Sequence, residues 1–422
     1  MLFQAGKNNT GEENIPVSAT TSWNFGAGRF ISDEENASTI IRYAWMLILS
    51  TALLTFFGLT MIYSASYGSQ EMRFFKSQIF WIVIGIAGGT FSYYIGYKKL
   101  TEWSPLMVIG VLILLGIALF SKEVNGAHRW IFINLPGLSM SIQPSEFAKV
   151  VMALFVSGYC SKNFRTLPYL FNRNGLGKIF LISGTVLGSI VAGGDLGTTV
   201  LVAAMIGCIL FAAGMPIRYV LLALVFVGII AAYIYFFDAE RLSRAVTWLN
   251  PQEYKKKDGY QLWMSLMALG SGGWTGMGFL GSRFKAKYLP EQHTDFILSV
   301  VGEELGFLTV LFLVIGGYVL LFFSALKISL NAKNRTSMLL GFGITSFIAF
   351  QAIINMIVIA GLGPTKGMPA PFISYGGSNM VVCMTSIGIL LSIASSSINE
   401  DYNLPFLEKC KKISSKLFRR KK

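Results

Sequence analysis

The sequence contains few charged residues, and this shortage argues against a soluble protein. Only 13% of its 422 residues are Asp, Glu, Lys or Arg, while 53% are hydrophobic. A soluble domain carries charge on about a quarter of its residues. Apolar stretches of about twenty residues, each long enough to cross a bilayer as a helix, recur along most of the chain. The composition therefore indicates an integral membrane protein with a single membrane domain.

Cysteine is scarce as well, and its spacing supports neither a disulfide framework nor a zinc site. The four cysteines form no CxxC pair and are Cys160, Cys208, Cys383 and Cys410. They lie in apolar segments or in the basic C-terminal tail, where we interpret them as small apolar residues. We therefore predict no metal-ligating residues.

The N-terminal segment lacks the apolar core and the cleavage site of a signal peptide. We predict that residues 1–41, which are rich in Asn, Ser, Thr and Glu, form a disordered cytoplasmic tail. Residues 399–422 form a second tail, in which residues 409–422 include eight Lys or Arg. This charge predicts a cytoplasmic position against anionic lipid. Residues 42–398 form the membrane domain.

Hydropathy predicts an all-α membrane protein with about ten transmembrane helices and both termini in the cytoplasm. Lys and Arg concentrate in alternate loops, which the positive-inside rule assigns to the cytoplasmic side. The predicted spans are 43–64, 78–97, 104–120, 144–161, 178–193, 197–214, 217–237, 298–325, 338–360 and 378–397. Segment 238–297, between the seventh and eighth helices, is then a large outer loop.

This outer loop carries an excess of positive charge on the side that normally lacks it. Its cations are Arg241, Arg244, Lys255, Lys256, Lys257, Arg283, Lys285 and Lys287. An anionic ligand at the outer membrane surface would explain cations such as Arg283 and Lys285, whereas a solvated loop explains them equally well. The glycine run at 270–281 lacks the strand and the GK[ST] ending of a P-loop, so we interpret it as a sharp re-entrant turn.

Charged residues within spans are costly and are therefore candidates for function. In segment 143–149, Glu146 and Lys149 lie three residues apart on one helix face. They could form a structural ion pair, or they could line a water-filled cavity. Both interpretations stay open on the sequence alone.

Segment 289–306 places Asp295 where the outer loop meets the eighth span, with Glu303 and Glu304 about two turns deeper. A carboxylate at a helix N-terminus can be merely a cap or a partner of the helix dipole. Beside a cationic loop, however, Asp295 suits a general base next to an anion site. His293 could be a second base, although a polar contact is the commoner role of a single loop histidine.

The segment at 361–378 is dense in Gly and Pro, which predicts a rigid, non-helical loop at membrane depth. Such backbone is tolerated only against protein or a cavity. Lys366, Ser374 and Ser378 would offer donors to an anionic headgroup, unless the segment is an ordinary connecting turn. Arg129, in a further outer loop at 125–138, has a fork that suits a phosphate, although a surface arginine without a ligand is as good an explanation.

These segments resemble the SEDS family, which is named for shape, elongation, division and sporulation. The resemblance covers about residues 43–398 and rests on several motifs in the family's order. The motifs are YSAS (63–66), GAHRW (126–130), QPSE (143–146), DLGT (195–198), LPEQHTDF (289–296), GEELG (302–306) and PFISYGGS (371–378). The YSAS motif and the PTKG segment at 364–367 are closer to the division members than to the elongation members.

The resemblance implies a peptidoglycan glycosyltransferase that polymerises lipid II at the outer face of the bacterial cytoplasmic (inner) membrane. The donor is a glycan on undecaprenyl diphosphate, the acceptor is a new lipid II, and the diphosphate lipid leaves. By the same resemblance, Asp295 deprotonates the acceptor 4-hydroxyl, which attacks with inversion. Arg129, Lys149 and Lys366 would bind the donor diphosphate, and Glu146 would hold Lys149 in place.

The resemblance also bears on cofactors and partners. No cofactor is required, because the lipid diphosphate carries the activation, although Mg²⁺ or Mn²⁺ could assist it. The implied partners are a class B penicillin-binding protein, which is a transpeptidase, and proteins of the division or elongation complexes; no nucleic acid is expected. Two positions depart from the family pattern: Asn379 stands where a second Ser is common, and Gly194 where Pro is frequent.

Two alternative functions remain on the sequence alone. A lipid II flippase would need polar groups through the whole membrane thickness, whereas the polar residues here cluster in the outer half. The second alternative is a noncatalytic scaffold that recruits and activates a penicillin-binding protein. Because an enzyme can also recruit a partner, this hypothesis is additional to catalysis more than a rival to it.

Overall fold

The structure of the protein is a computed structural model. It describes residues 33–67, 72–124, 126–135, 138–164, 166–167, 175–215, 239–249, 251–254, 259–285, 291–365 and 367–398, with single positions between 216 and 238. Segments 1–32 and 399–422 of the predicted tails, and most of the predicted seventh span, lie outside the described residues.

The first three helices are long and apolar: α1 spans Asp33–Ser66, α2 spans Met72–Ile95 and α3 spans Tyr97–Leu119. A continuous helix satisfies its own backbone hydrogen bonds, which lipid cannot do. Residues 33–41, part of the predicted N-terminal tail, belong instead to α1. Gly96, with a φ of 83°, makes the sharp turn between α2 and α3.

The next three helices are α4 (Pro144–Lys162), α5 (Leu176–Ala192) and α6 (Leu196–Ala212). Pro144 occupies the first turn of α4, where its missing N–H would have had no helical partner in any case. Asp195 caps α6, because its side chain accepts a hydrogen bond from the backbone N–H of Thr198 at 3.1 Å.

The predicted outer loop contains two short helices, and a broken helix follows it. The short helices are α7 (Ala239–Leu249) and α8 (Tyr260–Gly272). The broken helix consists of α9 (Ile297–Thr309), a π-helical segment (Val310–Ile315) and α10 (Gly316–Leu330). Within α9 the backbone leaves the helical region at Gly306, where φ is 75° and ψ is 175°. The predicted span 298–325 is therefore interrupted, which the uniform apolar character of its sequence did not reveal.

The break at Gly306 is closed by the glycine-rich loop 273–278. The N–H groups of Phe307 and Leu308 donate to the carbonyl oxygens of this loop at 2.9 and 3.1 Å. In the other direction, two N–H groups of the loop donate to the carbonyl oxygens of Glu303 and Glu304, both at 2.9 Å. These bonds replace those that the helix loses at its break. The loop therefore makes the sharp turn that the glycine run predicts, and its re-entrant position in the membrane stays a prediction.

The last two helices are α11 (Arg335–Ile359) and α12 (Gly377–Ile398). Between α3 and α4 lies a short antiparallel hairpin of β1 (Ile131–Leu135) and β2 (Leu138–Ile142). This hairpin begins in the loop predicted at 125–138, extends to Ile142 and is a small exception to the all-α prediction. Two strands of five residues carry too little pattern to be recognised in the sequence.

Small residues allow the long helices to pack closely. A Cβ on Gly89 of α2 would lie only 2.6 Å from the carbonyl oxygen of Met384 in α12. Hydroxyl groups inside the helices bond to their own backbone, as when Thr55 donates to the carbonyl oxygen of Thr51 at 2.8 Å. Both features are typical of helices that associate in a membrane, where apolar surface alone does not drive association.

Six helices among the described residues are long and apolar enough to cross a membrane: Ala37–Ser66, Met72–Ile95, Tyr97–Leu119, Ile297–Leu330, Arg335–Ile359 and Gly377–Ile398. The apolar helices α5 and α6 are shorter. These observations confirm the prediction of a helical, multi-pass membrane protein. The count of about ten spans stays a prediction.

Candidate active site

Loops from separate parts of the chain meet at one end of the helix bundle. The backbone N–H of Tyr375, in the loop before α12, donates to the carbonyl oxygen of His293, in the turn before α9, at 2.8 Å. The turn between α5 and α6 lies against the loop after α3, since a Cβ on Gly194 would be 2.9 Å from the Cβ of Ala127. These loops carry most of the residues that the sequence predicts for the site.

Asp295 lies in the turn 291–296, immediately before α9. The turn folds back on itself, because the N–H groups of Thr294 and Phe296 donate to the carbonyl oxygen of Glu291 at 3.2 and 3.4 Å. Glu291 has a φ of 53°, which is uncommon for a residue other than glycine. A strained backbone conformation persists only where the surrounding packing holds it, and such residues are commoner at functional sites.

The backbone of Asp295 is hydrogen-bonded to α11 and, through the same side chain, linked to the loop before α12, whereas its carboxylate has no such bond. The side-chain amide of Asn355, in α11, donates to the carbonyl oxygens of Asp295 at 2.9 Å and of Met368 at 2.8 Å. The carboxylate lies beside Gly367, where a Cβ would be 2.9 Å from Oδ2 of Asp295. No described residue donates a hydrogen bond to this carboxylate.

Burial raises the pKa of Asp295 to about 7, the charge of Glu291 also raises it, and the charge of Arg129 opposes the rise. A carboxyl group with a pKa near neutrality is partly ionised at physiological pH. In its ionised form it can accept a proton from a substrate, and its raised pKa makes that transfer more favourable. These properties are those expected of a general base.

Arg129 lies in the loop between α3 and β1 and is half-buried. Its Nε atom is buried and has no hydrogen-bond partner among the described residues. The loop is held in place because the hydroxyl of Ser121 donates to the carbonyl oxygen of Trp130 at 2.6 Å. An unpaired buried donor is costly, and the oxygens of an anionic ligand would satisfy it.

Three of the predicted motifs meet at Asp195. The side chains of Gln143 and Ser145 both donate to Oδ2 of Asp195, each at 2.8 Å. The backbone N–H of Gln143 donates in turn to the hydroxyl oxygen of Ser378 at 3.0 Å. These bonds join the starts of α4, α6 and α12 into one buried polar junction.

The structure describes the two serines predicted to bind a headgroup, Ser374 and Ser378, but it does not describe Lys366. The hydroxyl oxygen of Ser374 accepts a hydrogen bond from the N–H of Ala370 at 2.8 Å, and Ser378 accepts the bond from Gln143. Both serines are buried, so in this conformation they stabilise the loop, and their binding to a headgroup stays a prediction. Lys366 lies outside the described residues.

Lys149 and Glu146 form a buried ion pair. The ammonium of Lys149 lies 2.7 Å from Oε1 of Glu146 and donates to Oε1 of Gln351 at 2.8 Å. Lys149 is 0% exposed. The observed geometry is that of a structural ion pair, in which Glu146 holds Lys149 in place. A diphosphate would reach Lys149 only if the pair opened, so its contact with substrate stays a prediction.

Two outer-loop cations that could bind an anionic ligand, Lys285 and Arg283, differ in their contacts. Lys285 is 7% exposed, and its ammonium lies 2.6 Å from Oε1 of Glu304 and 3.0 Å from the hydroxyl of Ser64. Its charge is therefore already neutralised inside the protein. The backbone N–H of Arg283 donates to Oε1 of Glu303 at 2.7 Å, while its side chain is exposed and free to meet an anion.

Two amide side chains that the sequence pattern did not single out connect the parts of the site. Asn355 joins the turn of Asp295 to the loop before α12, and Gln351 donates to the carbonyl oxygen of Pro369 in the same loop at 2.8 Å. The two amides lie four residues apart on one face of α11. Their presence in an apolar helix was the available signal, because polar groups within spans are costly.

Within the ranges that the structure describes, no group of three or more His, Cys, Asp or Glu side chains could hold a metal ion. Asp295 and Glu291 supply two carboxylates in one turn, which falls short of the six or more oxygen ligands of a protein Ca²⁺ site. Mg²⁺ needs fewer protein ligands, but usually takes others from substrate phosphates.

Comparison with known proteins identifies relatives over most of the chain. The profile of the family described as "Cell cycle protein", covering FtsW, RodA and SpoVE, matches residues 44–399. The probable peptidoglycan glycosyltransferase FtsW of Trichlorobacter lovleyi is 33% identical over 365 residues, covering 84% of this chain and 94% of the relative. The stage V sporulation protein E of Bacillus subtilis is 34% identical over 371 residues, covering 83% and 97%.

Solved structures share the fold at lower identity. A chain from the structure described as "Structural coordination of polymerization and crosslinking by a peptidoglycan synthase complex" has a TM-score of 0.69 at 22% identity. The match covers 86% of this chain and 98% of that chain. The rod shape determining protein RodA of Thermus thermophilus has a TM-score of 0.61 at 23% identity, covering 83% and 96%.

Proposed function

Because this chain belongs to the cell cycle protein family of FtsW, RodA and SpoVE, we propose that it is a peptidoglycan glycosyltransferase that polymerises lipid II into glycan strands. The reaction takes place at the outer face of the cytoplasmic membrane, during cell division or growth. The names of relatives that are 33% and 34% identical over most of the chain support this proposal. The observation that carries it to particular residues is an available carboxylate, Asp295, near an arginine with an unpaired donor.

In the proposed reaction, ionised Asp295 accepts the proton of the acceptor's 4-hydroxyl group. The acceptor oxygen attacks the anomeric carbon of the donor from the face opposite the diphosphate, so the configuration inverts. The new carbon–oxygen bond forms while the bond from the anomeric carbon to the diphosphate oxygen breaks. The electron pair of that bond leaves with undecaprenyl diphosphate, and the proton stays on Asp295 until solvent removes it.

The leaving diphosphate needs fixed positive charge nearby. Arg129 is our first candidate, because its guanidinium acts electrostatically on Asp295 and has an unpaired Nε. Lys366, next to Gly367 in the chain, and the exposed Arg283 are further candidates. Residues already engaged inside the protein would act by holding these loops in place: Glu146, Lys149, Lys285, Ser374 and Ser378. Since both substrates are anchored in one membrane plane, proximity lowers the barrier further.

A class B penicillin-binding protein is the proposed partner, because its transpeptidase would crosslink the strands that this chain makes. The fold is shared with a chain from a peptidoglycan synthase complex, which supports a partnership of this kind. We assign every step of the reaction to side chains. A bound Mg²⁺ or Mn²⁺ would neutralise part of the diphosphate charge, but the described residues do not fit a site built from protein ligands alone.

The test is polymerisation of purified lipid II by the full chain, co-purified with the penicillin-binding protein of its own organism. We expect Asp295→Asn and Asp295→Ala to abolish glycan strands while expression and partner binding stay normal. Glu102→Gln is the matched control, because Glu102 is an exposed carboxylate in α3, away from these loops. Polymerisation by both Asp295 variants would exclude Asp295 as the base. Transport of lipid II across vesicles by a wild-type chain that makes no glycan would favour a flippase.

A further inference from the structure

Asn355 is buried, at 2% exposure, in an otherwise apolar stretch of α11. Its side-chain NH₂ group has two hydrogens, and the structure uses both. It donates to the carbonyl oxygen of Asp295 at 2.9 Å and to that of Met368 at 2.8 Å. One amide group on a long, packed helix therefore fixes two loops that have no regular structure of their own.

The second of these loops touches Asp295 directly. Gly367 follows Lys366 in the chain, and a Cβ at its position would lie 2.9 Å from Oδ2 of Asp295. The backbone of Gly367 does not adopt a positive φ, so backbone geometry does not demand glycine here. The reason for glycine is space, because the carboxylate of Asp295 occupies the place that a side chain would need.

We infer that Asn355 is a positioning residue for the glycosyl transfer. We infer also that the absence of a side chain at Gly367 leaves the space that the Asp295 carboxylate occupies. The inference rests on the proposed function. A general base must lie within hydrogen-bond reach of the proton it removes. A displacement of about 1 Å at a reacting group can lower a rate by about a hundredfold. Asn355 fixes the position of the Asp295 backbone through its hydrogen bond, and Gly367 leaves room for the carboxylate beside it.

Two charged groups act on the Asp295 carboxylate in the described residues: Glu291 of the same turn and Arg129 of the loop after α3. The enclosure of the carboxylate opposes its ionisation more strongly than either charge affects it. Changing Gly367 to alanine would place a methyl group against the Asp295 carboxylate and displace that carboxylate towards solvent. Changing Asn355 to alanine would release the turn. Both changes would make ionisation easier, so the acidic limb of the pH–rate profile would move to lower pH.

The experiment measures lipid II polymerisation by the full chain with its partner, across pH, for Asn355→Ala and Gly367→Ala. Asn331→Ala is the matched control for the amide, because Asn331 donates only within its own helix end, to the carbonyl oxygen of Lys327 at 2.8 Å. Gly188→Ala is the control for the glycine, because a Cβ at Gly188 of α5 has no neighbour within 4 Å. Should Asn355→Ala fail to fold, Gly367→Ala still decides, since Gly367 is exposed and no core packing depends on it.

We expect both variants to lower kcat about tenfold or more with a small change in KM, and to shift the acidic midpoint below that of the wild type. The two controls should match the wild type. A lower rate with an unchanged midpoint would indicate general destabilisation and would overturn the inference, as would rates within twofold of the wild type. If Asp295→Asn is inactive while these variants behave as wild type, only this inference fails. If Asp295→Asn is itself active, the proposed function fails with it.

Discussion

Asp295 and the pair Glu303 and Glu304 lie within ten residues of one another, and the surroundings of their carboxylates differ. Glu304 accepts hydrogen bonds from the hydroxyl of Ser64 at 2.6 and 2.7 Å, from the ammonium of Lys285 at 2.6 Å and from two loop N–H groups. Glu303 accepts from the hydroxyl of Ser282 and from the N–H of Arg283. Asp295 accepts no hydrogen bond on its carboxylate from any described residue.

Hydrogen bonding distinguishes these carboxylates more sharply than burial does. Glu303 and Glu304 are the more deeply buried, but their oxygens are already engaged by donors. They tie α1, α9 and the loop around Ser282 together at the break in the helix. Asp295 is held by its backbone alone, which leaves its oxygens available to a substrate hydroxyl. An acidic residue at the edge of a span is thus best judged by its remaining hydrogen-bonding capacity.

The largest expected effect comes from neutralising the free carboxylate. Asp295→Asn should lower the polymerisation rate by about 10²–10⁴-fold, the usual contribution of a general base, without unfolding the protein. Strand length and yield from labelled lipid II measure the rate, and partner co-purification reports the fold. A rate near that of the wild type would remove the distinction between this carboxylate and its neighbours.

The engaged carboxylate should show the opposite pattern, with a loss of stability. Lys285→Met leaves Glu304 buried without its cation, which should cost about 3–5 kcal/mol of unfolding free energy. Replacing both partners, Lys285→Met with Glu304→Gln, should recover part of the loss, because no buried charge is left unpaired and the amide oxygen of Gln still accepts hydrogen bonds from the loop. Unfolding of the purified protein in detergent measures both effects, with Lys333→Met, at an exposed position, as the control. Equal stability of the single variant and the wild type would show that the pair is not needed.

The pH dependence of the reaction sharpens the same comparison. Because the pKa of Asp295 is raised to about 7, the ionised base is present above that pH and is lost as the pH falls. The wild-type rate should therefore reach a plateau above about pH 7 and fall about tenfold for each pH unit below it. Initial rates at fixed lipid II concentration provide the measurement. The Glu102→Gln control should keep this profile, and a midpoint near 4 would contradict the enclosed position of Asp295.

A smaller effect concerns stability. The folded protein binds a proton at Asp295 up to about pH 7, whereas the unfolded chain releases it near the ordinary carboxyl pKa of about 4. Between these values the folded state binds more protons, so this group makes the protein less stable as pH rises. Asp295→Asn should therefore raise the Tm relative to wild type at pH 8 and change it less at pH 5. A Tm difference that is independent of pH would count against the raised pKa.

The sequence predicted most helix positions well because the cost of placing a side chain in lipid is a property of each residue. The start of α4 at Pro144 and that of α12 at Gly377 fall within one residue of the predicted spans. Asp295 could also be singled out, since a carboxylate beside a cationic loop and a span is unusual. The motifs around it added the chemistry that the composition could not supply.

The pairing of the polar groups depends on how the helices and loops pack. Ser64 and Glu304 are 240 positions apart in sequence, and Asn355 lies 60 positions from Asp295. Hydropathy cannot pair them, because a hydrogen bond depends on which helix faces meet and on how loops fold between them. For the same reason the sequence left Lys285 and Lys149 as candidates for a substrate site, while the fold gives each an internal carboxylate. Hydropathy was therefore enough to establish a helical membrane protein with candidate residues at one edge, whereas packing left the Asp295 carboxylate without a hydrogen bond from the described residues.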